Sequence, residues 1–174
     1  MMIAASGCIT LVEENLKKSL AASSTFRTWI GATGDDANDQ ARSRIHFDEW
    51  PPPSDGNAHT SAEMRALLPS AIVDTEDFTA TESAVDEHDN SGFLRVKLEW
   101  DIPERILNDP GAIAREFKNI IGGIIDDLFA MSGTAERLSI RQIRMERPDR
   151  THPTEECDLG DVFCTKLIIE HYGI

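Results

Sequence analysis

Three cysteines and five histidines are the first residues to question, because thiolates and imidazoles supply most nucleophiles, bases and metal ligands at neutral pH. Cys8, Cys157 and Cys164 show no CxxC spacing, and His152, Cys157, Cys164 and His171 match no paired zinc-ligand pattern. In a regular strand, Cys164 and His171 would also point to opposite faces. The run Asp86, Glu87, His88 and Asp89 is rich in hard ligands but lacks the ordered alternation and distal glutamate of a calcium loop, so it reads as a solvated acidic loop. There is no GxSxG elbow, and Gly122 with Gly123 falls inside a helical stretch, not ahead of one, which excludes a phosphate loop. Asp126 and Asp127 are neighbouring carboxylates on a polar helix face, read as solvated or interfacial. No catalytic residue, metal ligand or cofactor is expected. Trp50, followed by three prolines, is the most conspicuous aromatic: either a small satellite core or an anchor for another subunit.

The strongest element that could position any of these is Asp109 to Met131. Asp109 is an N-cap candidate, Pro110 suits the first helical position, and Gly133 stands where a terminating glycine belongs. Ile113, Phe117, Ile120, Ile121, Ile124, Ile125, Leu128 and Met131 share about half the circumference, and Arg115, Glu116, Asn119, Asp126 and Asp127 take the rest. Two mid-helix glycines cost roughly 1 kcal/mol each against alanine. Gly122 and Gly123 therefore predict close approach of a neighbouring segment, and with Trp50, Arg115, Asn119 and Asp126 they make the expected subunit or partner interface.

Around this helix, an earlier helix is expected over Thr10 to Ala21, where Thr10 and Glu13 have capping-box spacing. A short helix capped by Ser24 follows, then a polar stretch from Asp35 to Arg42 and a strand at Arg44 to Phe47. Thr60 and Glu63 repeat the capping-box spacing ahead of a helix over Ser61 to Leu67. Strands are expected at Ala71 to Thr75, at Phe93 to Ile102 with strict alternation, at Leu138 to Glu146 with a bulge near Arg141 or Gln142, and at Val162 to Tyr172. Glu76 to Asn90 is either a mobile loop or a projecting hairpin arm. The expected fold class is α+β: one domain over residues 1–174, a single mostly antiparallel or mixed sheet of four or five strands, packed by the long helix and the N-terminal helix, with long loops at about 48–60, 76–92 and 147–161.

Composition narrows the function classes. A net charge of −14 opposes non-specific binding to nucleic acid or anionic membrane. Residues Met1 to Ile9 lack a basic n-region, and no window approaches the ~18 apolar residues of a membrane span, so neither a secretory signal nor a membrane segment is expected. The odd cysteine count predicts reduced thiols in a cytosolic protein.

FRTWIGA, RIHF, LLPSAIV, an acidic excursion, GFLRVKLEWDIP, the long helix with FKNIIGGIIDDLFAM, and a closing hairpin ending in KLIIEHYG follow one another along the chain. This order of segments resembles the tail terminator, or tail completion, proteins of long-tailed phages and prophages. It spans nearly the whole chain but contains no catalytic signature. It implies a structural virion protein that assembles as a ring, commonly a hexamer, on the head-proximal end of the tail tube. The implied partners are further copies of the chain, the tail tube protein and head connector proteins, first in the bacterial cytoplasm and then in the virion. Asp86, Glu87 and Asp89 would then form an acidic loop facing the channel through which DNA passes. The competing class is a soluble α/β enzyme or small-ligand-binding protein, which would need a concave pocket with convergent polar groups. Neutralising Asp86, Glu87 and Asp89 together is expected to leave the ring intact in electron micrographs while changing DNA passage; loss of assembly would overturn the channel role.

Overall fold

The computed structural model describes residues 8–53, 60–82, 88–134, 137–151 and 162–172. In chain order these form α1 (Cys8–Ala22), α2 (Ser24–Trp29), α3 (Ala37–Ser43), β1 (Ile45–Phe47), α4 (Ser61–Leu67), β2 (Ser70–Glu82) and β3 (His88–Asp101). A 3-10 turn (Glu104–Ile106) leads to α5 (Pro110–Met131), then β4 (Ile140–Met145), β5 (Asp149–Thr151) and β6 (Val162–Tyr172). The strands make one mixed sheet in the order β1-β2-β3-β6-β4, with β5 also on β6. Among the described residues, β1 and β2 run parallel and the other pairings are antiparallel. The expected α+β class with a single mixed sheet is observed.

Helix α5 starts and stops where its residues direct. The Asp109 carboxylate accepts from the Ala112 N–H at 2.9 Å, and Gly133 follows the last turn at φ 72°, a conformation that favours glycine. Ile113, Phe117, Ile121, Ile124 and Leu128 are buried, one per turn along a single stripe. Each contributes about 1.5–3 kcal/mol by leaving water. Phe117 lies at the centre of an aromatic group: stacked on Trp100 at 5.6 Å and edge-to-face with Phe163 at 5.0 Å and Trp29 at 6.4 Å. Val12, Leu16 and Leu20 of α1 complete the helical side of the core. The sheet side is written by alternation, with Leu94, Val96 and Leu98 of β3 facing Leu167 and Ile169 of β6 and Val73 of β2.

Several expectations need correction. Residues 76–82 and 88–92 are not loop but the far half of β2 and the start of β3, the hairpin-arm alternative. A register shift between Thr75 and Asp77 takes up one residue, and beyond it Phe78 packs on the core while Asp77 and Thr79 are exposed. The expected loop at 147–161 contains β5, a three-residue polar strand with no hydrophobic pattern, and its remainder from residue 152 lies outside the described residues. The polar stretch from Asp35 holds α3, whose one buried residue is Ala41. Ser23, not Ser24, caps α2, accepting from the Phe26 N–H at 3.0 Å. The shift in β4 falls between Ile140 and Gln142, as expected, and Thr60 and Glu63 form a full capping box.

His171 is an exception to the rule that buried polar groups are paired. It is 1% exposed, neither ring nitrogen has a hydrogen-bond partner among the described residues, and the ring stacks on Phe78 at 6.2 Å. Burial pushes its pKa below the ordinary value of 6.5, so the folded state holds the neutral ring. His46 is lowered as well, by burial and then by Lys17 and Arg44. Below pH ~6.5 the unfolded chain takes up protons that the folded chain resists, and stability falls with pH by at most about 1.4 kcal/mol per pH unit for each such histidine. His171→Phe is expected to flatten this decline in urea melts between pH 7.5 and 5; an unchanged slope would show that His171 does not cause it.

Candidate functional site

Because α1, α2 and α5 pack on one side, the alternate residues of β2, β3 and β6 line the opposite side of the sheet. The register arranges them in rows. Ile72, Lys97 and Lys166 form one; Asp74, Arg95, Ile168 and Arg144 the next; Phe93, Glu170 and Gln142 a third. Arg95 lies 3.8 Å from Asp74 and 3.5 Å from Glu76, and Lys97 lies 2.5 Å from Glu99 along the same strand. Lys97 directly opposes Lys166, a like-charge pair that costs stability unless something compensates it. Arg141, at the β4 edge, holds Glu170 at 3.1 Å and lies over the Tyr172 ring at 5.4 Å.

The chain leaving β1 shapes one end of this face. Asp48 has φ 61°, a left-handed conformation that aspartate tolerates better than most residues, and it turns the chain after its N–H has bonded the Val73 carbonyl at 2.9 Å. Trp50 then donates its indole N–H to the buried Ser70 hydroxyl at 3.3 Å. With Pro52 and Pro53 it walls a groove of about 760 Å³, into which Ile72, Lys97 and Glu99 project. A second hollow of about 390 Å³ lies beside Phe93, Ile168 and Arg144. Cys164 sits in the same register row as Glu99, and burial pushes its thiol up, so at neutral pH it is no thiolate nucleophile. Mixed charge and apolar walls thus characterise both hollows.

The residues expected at an interface fall on two separate surfaces. Trp50 is half-buried beside Ile72, Lys97 and Glu99, on the side of the sheet away from α5. Arg115, Asn119 and Asp126 are exposed on α5, on the helical side of the sheet. A Cβ at Gly122 would meet nothing within 4 Å, whereas one at Gly123 would come 2.8 Å from Thr25 Cγ2, so the close approach is between α5 and α2 of the same chain. Asp127 also turns out to be engaged within the chain: it accepts from Ser23 Oγ at 2.7 Å, Ser24 Oγ at 3.3 Å and the Thr25 N–H at 2.9 Å. Burial alone would raise its pKa, but these hydrogen bonds to the α2 N-terminus outweigh it and hold the carboxyl below its ordinary value. Asp86 and Glu87 lie outside the described residues, and Asp89 pairs with Thr81 in the β2–β3 arm. Sequence reasoning missed Glu99 and Lys166. The alternation of β3 marked Glu99 as facing away from the core, but only the register with β6 brings Lys166 beside Lys97.

No known protein-family model matches the chain, and neither does any curated protein.

The two glycines separate packing from assembly. Gly122→Ala fills open space on a helix and is expected to stabilise the isolated chain by about 1 kcal/mol, while Gly123→Ala should gain less or destabilise, since Thr25 must yield. Thermal melts read this difference. An equal gain at both positions would mean that α2 imposes no constraint on α5.

Proposed function

We propose that this chain is a structural virion protein of a long-tailed phage or prophage: a ring-forming tail terminator or completion subunit that caps the tail tube and joins it to the head connector. The observation that carries this reading is the β2–β3 arm. The last pairing of β3 with β6 is Ser91 with Tyr172, and β1 pairs with β2 only as far as Val73. Among the described residues, the arm from Thr79 to Glu82 and from His88 to Asn90 therefore pairs only with itself. A bare two-stranded ribbon is marginal in water, and packing against a neighbouring subunit would supply what it lacks. An open, mixed-charge sheet face offers the subunit a further contact surface, and neither feature requires an active site.

Further support comes from charge. A ring of subunits carrying −14 each would present DNA with a channel to which it does not adhere, and Asp86, Glu87 and Asp89 are the carboxylates proposed to face it. No described helix is long and apolar enough to cross a membrane. On this reading the subunit is made in the bacterial cytoplasm and ends in the tail.

The arm gives the test. Replacing residues 79–91 with Asn-Gly, a two-residue hairpin turn, should leave the melting transition of the subunit nearly unchanged but abolish rings seen by sedimentation and electron microscopy with tail tube protein present. A wild-type chain that stays monomeric with tube protein would overturn the proposal, as would rings that form equally well without the arm.

A further inference from the structure

The outward side of α5 carries a pattern that packing within the chain does not use. At about 100° per residue, Arg115, Asn119, Gly122 and Asp126 fall within one strip about 60° wide. The buried stripe from Ile113 to Leu128 lies on the opposite side of the helix. Arg115, Asn119 and Asp126 are exposed, and neither Arg115 nor Asp126 has an ion pair among the described residues. The helical rise sets these two charges about 16 Å apart along the axis, too far to meet within the chain. A Cβ on Gly122 would meet nothing within 4 Å, so the middle of the strip is open.

The strip is complementary to itself. Arg115 and Asp126 stand equally far from the point between Ile120 and Ile121, and so do Asn119 and Gly122. A second α5 laid antiparallel about a twofold axis through that point sets Arg115 against the partner's Asp126, twice over, and Asn119 over the partner's Gly122. A parallel pairing fails, because it opposes arginine to arginine and aspartate to aspartate. Phe129, 43% exposed, comes to the level of the partner's Gly111, where no side chain stands in its way. The charges of the strip cancel. The −14 of each chain therefore acts from elsewhere, and salt at ~0.15 M screens it beyond about 8 Å.

We propose that the outward strip of α5 is a self-association surface, on which two copies of this chain pair as antiparallel helices with Gly122 at the crossing. The pairing does not depend on the tail-terminator reading, since it uses neither the β2–β3 arm nor another protein.

Sedimentation equilibrium of the whole chain at ~0.15 M salt tests it. A monomer–dimer equilibrium is expected, with a dissociation constant on the order of 100 µM for so small and polar a contact. Arg115→Asp and Asp126→Arg each bring like charges together and should weaken it by at least about tenfold. An equimolar mixture of these two variants restores both ion pairs, as does the double variant alone, and each should dimerise like wild type. Gly122→Leu should block the crossing while the melting temperature of its monomer stays at or above that of wild type, because the space is open within the chain. A wild-type chain still monomeric at about 1 mM, single variants that dimerise as well as wild type, or a mixture that stays monomeric would each overturn the proposal.

Discussion

The packing of α5 on one face of the sheet is the constraint from which the other features follow. Phe117 lies among Trp29, Trp100 and Phe163, so a single side chain joins α2, α5, β3 and β6. Such a group tolerates little displacement, because aromatic rings in contact at ~5–6 Å have few alternative arrangements of equal density. Asp127 adds a polar tie one face away, anchoring the start of α2 to α5. With three helices packed on one side, the alternate residues of β2, β3 and β6 are left to the other. Its chemistry is then decided by strand register, and register by the core.

That register explains why the open face carries charge in so ordered a form. Along β3, Arg95, Lys97 and Glu99 take the outward positions between Leu94, Val96, Leu98 and Trp100. Asp74 and Glu76 answer Arg95, and Glu99 answers Lys97, so the face is largely self-compensated. Exposed pairs of this kind contribute little to stability, typically under ~1 kcal/mol, and their main effect is to set which partners can approach. Glu99 is different because it is covered. Placing a carboxylate there is costly, and the Lys97 contact offsets only part of that cost.

Much of the fold was legible in the residues. Capping at Asp109 and Thr60, the stripe of α5, the alternation of β3 and the bulge of β4 are local signals with local causes, and each appears in the structure. What escaped were elements held by neighbours rather than by pattern. The far half of β2 contains Glu76, Asp77 and Thr79, which bury little; it is a strand because β3 pairs with it. Helix α3 buries Ala41 alone, and β5 has only backbone pairing to β6. The groove was hidden for the same reason. Trp50 stood out beside its prolines, but that it faces Lys97 and Glu99 depends on the turn at Asp48 and on a pairing between segments far apart in the chain.

The outer edges of the sheet bear on how this protein avoids sticking to itself in the wrong way. One edge, β1, is three residues long and ends at the left-handed Asp48. The other is interrupted between β4 and β5, where Glu146 is still bonded to β6 through both its N–H and its carbonyl, while Pro148 has no N–H to offer a newcomer. The shift after Ile140, with Arg141 and Arg144 exposed, makes that edge uneven and charged. Short, broken and charged edges resist the open-ended backbone pairing that leads to fibres. At high concentration such edges keep the sheets of separate chains from joining, so that contact between chains falls to side-chain surfaces.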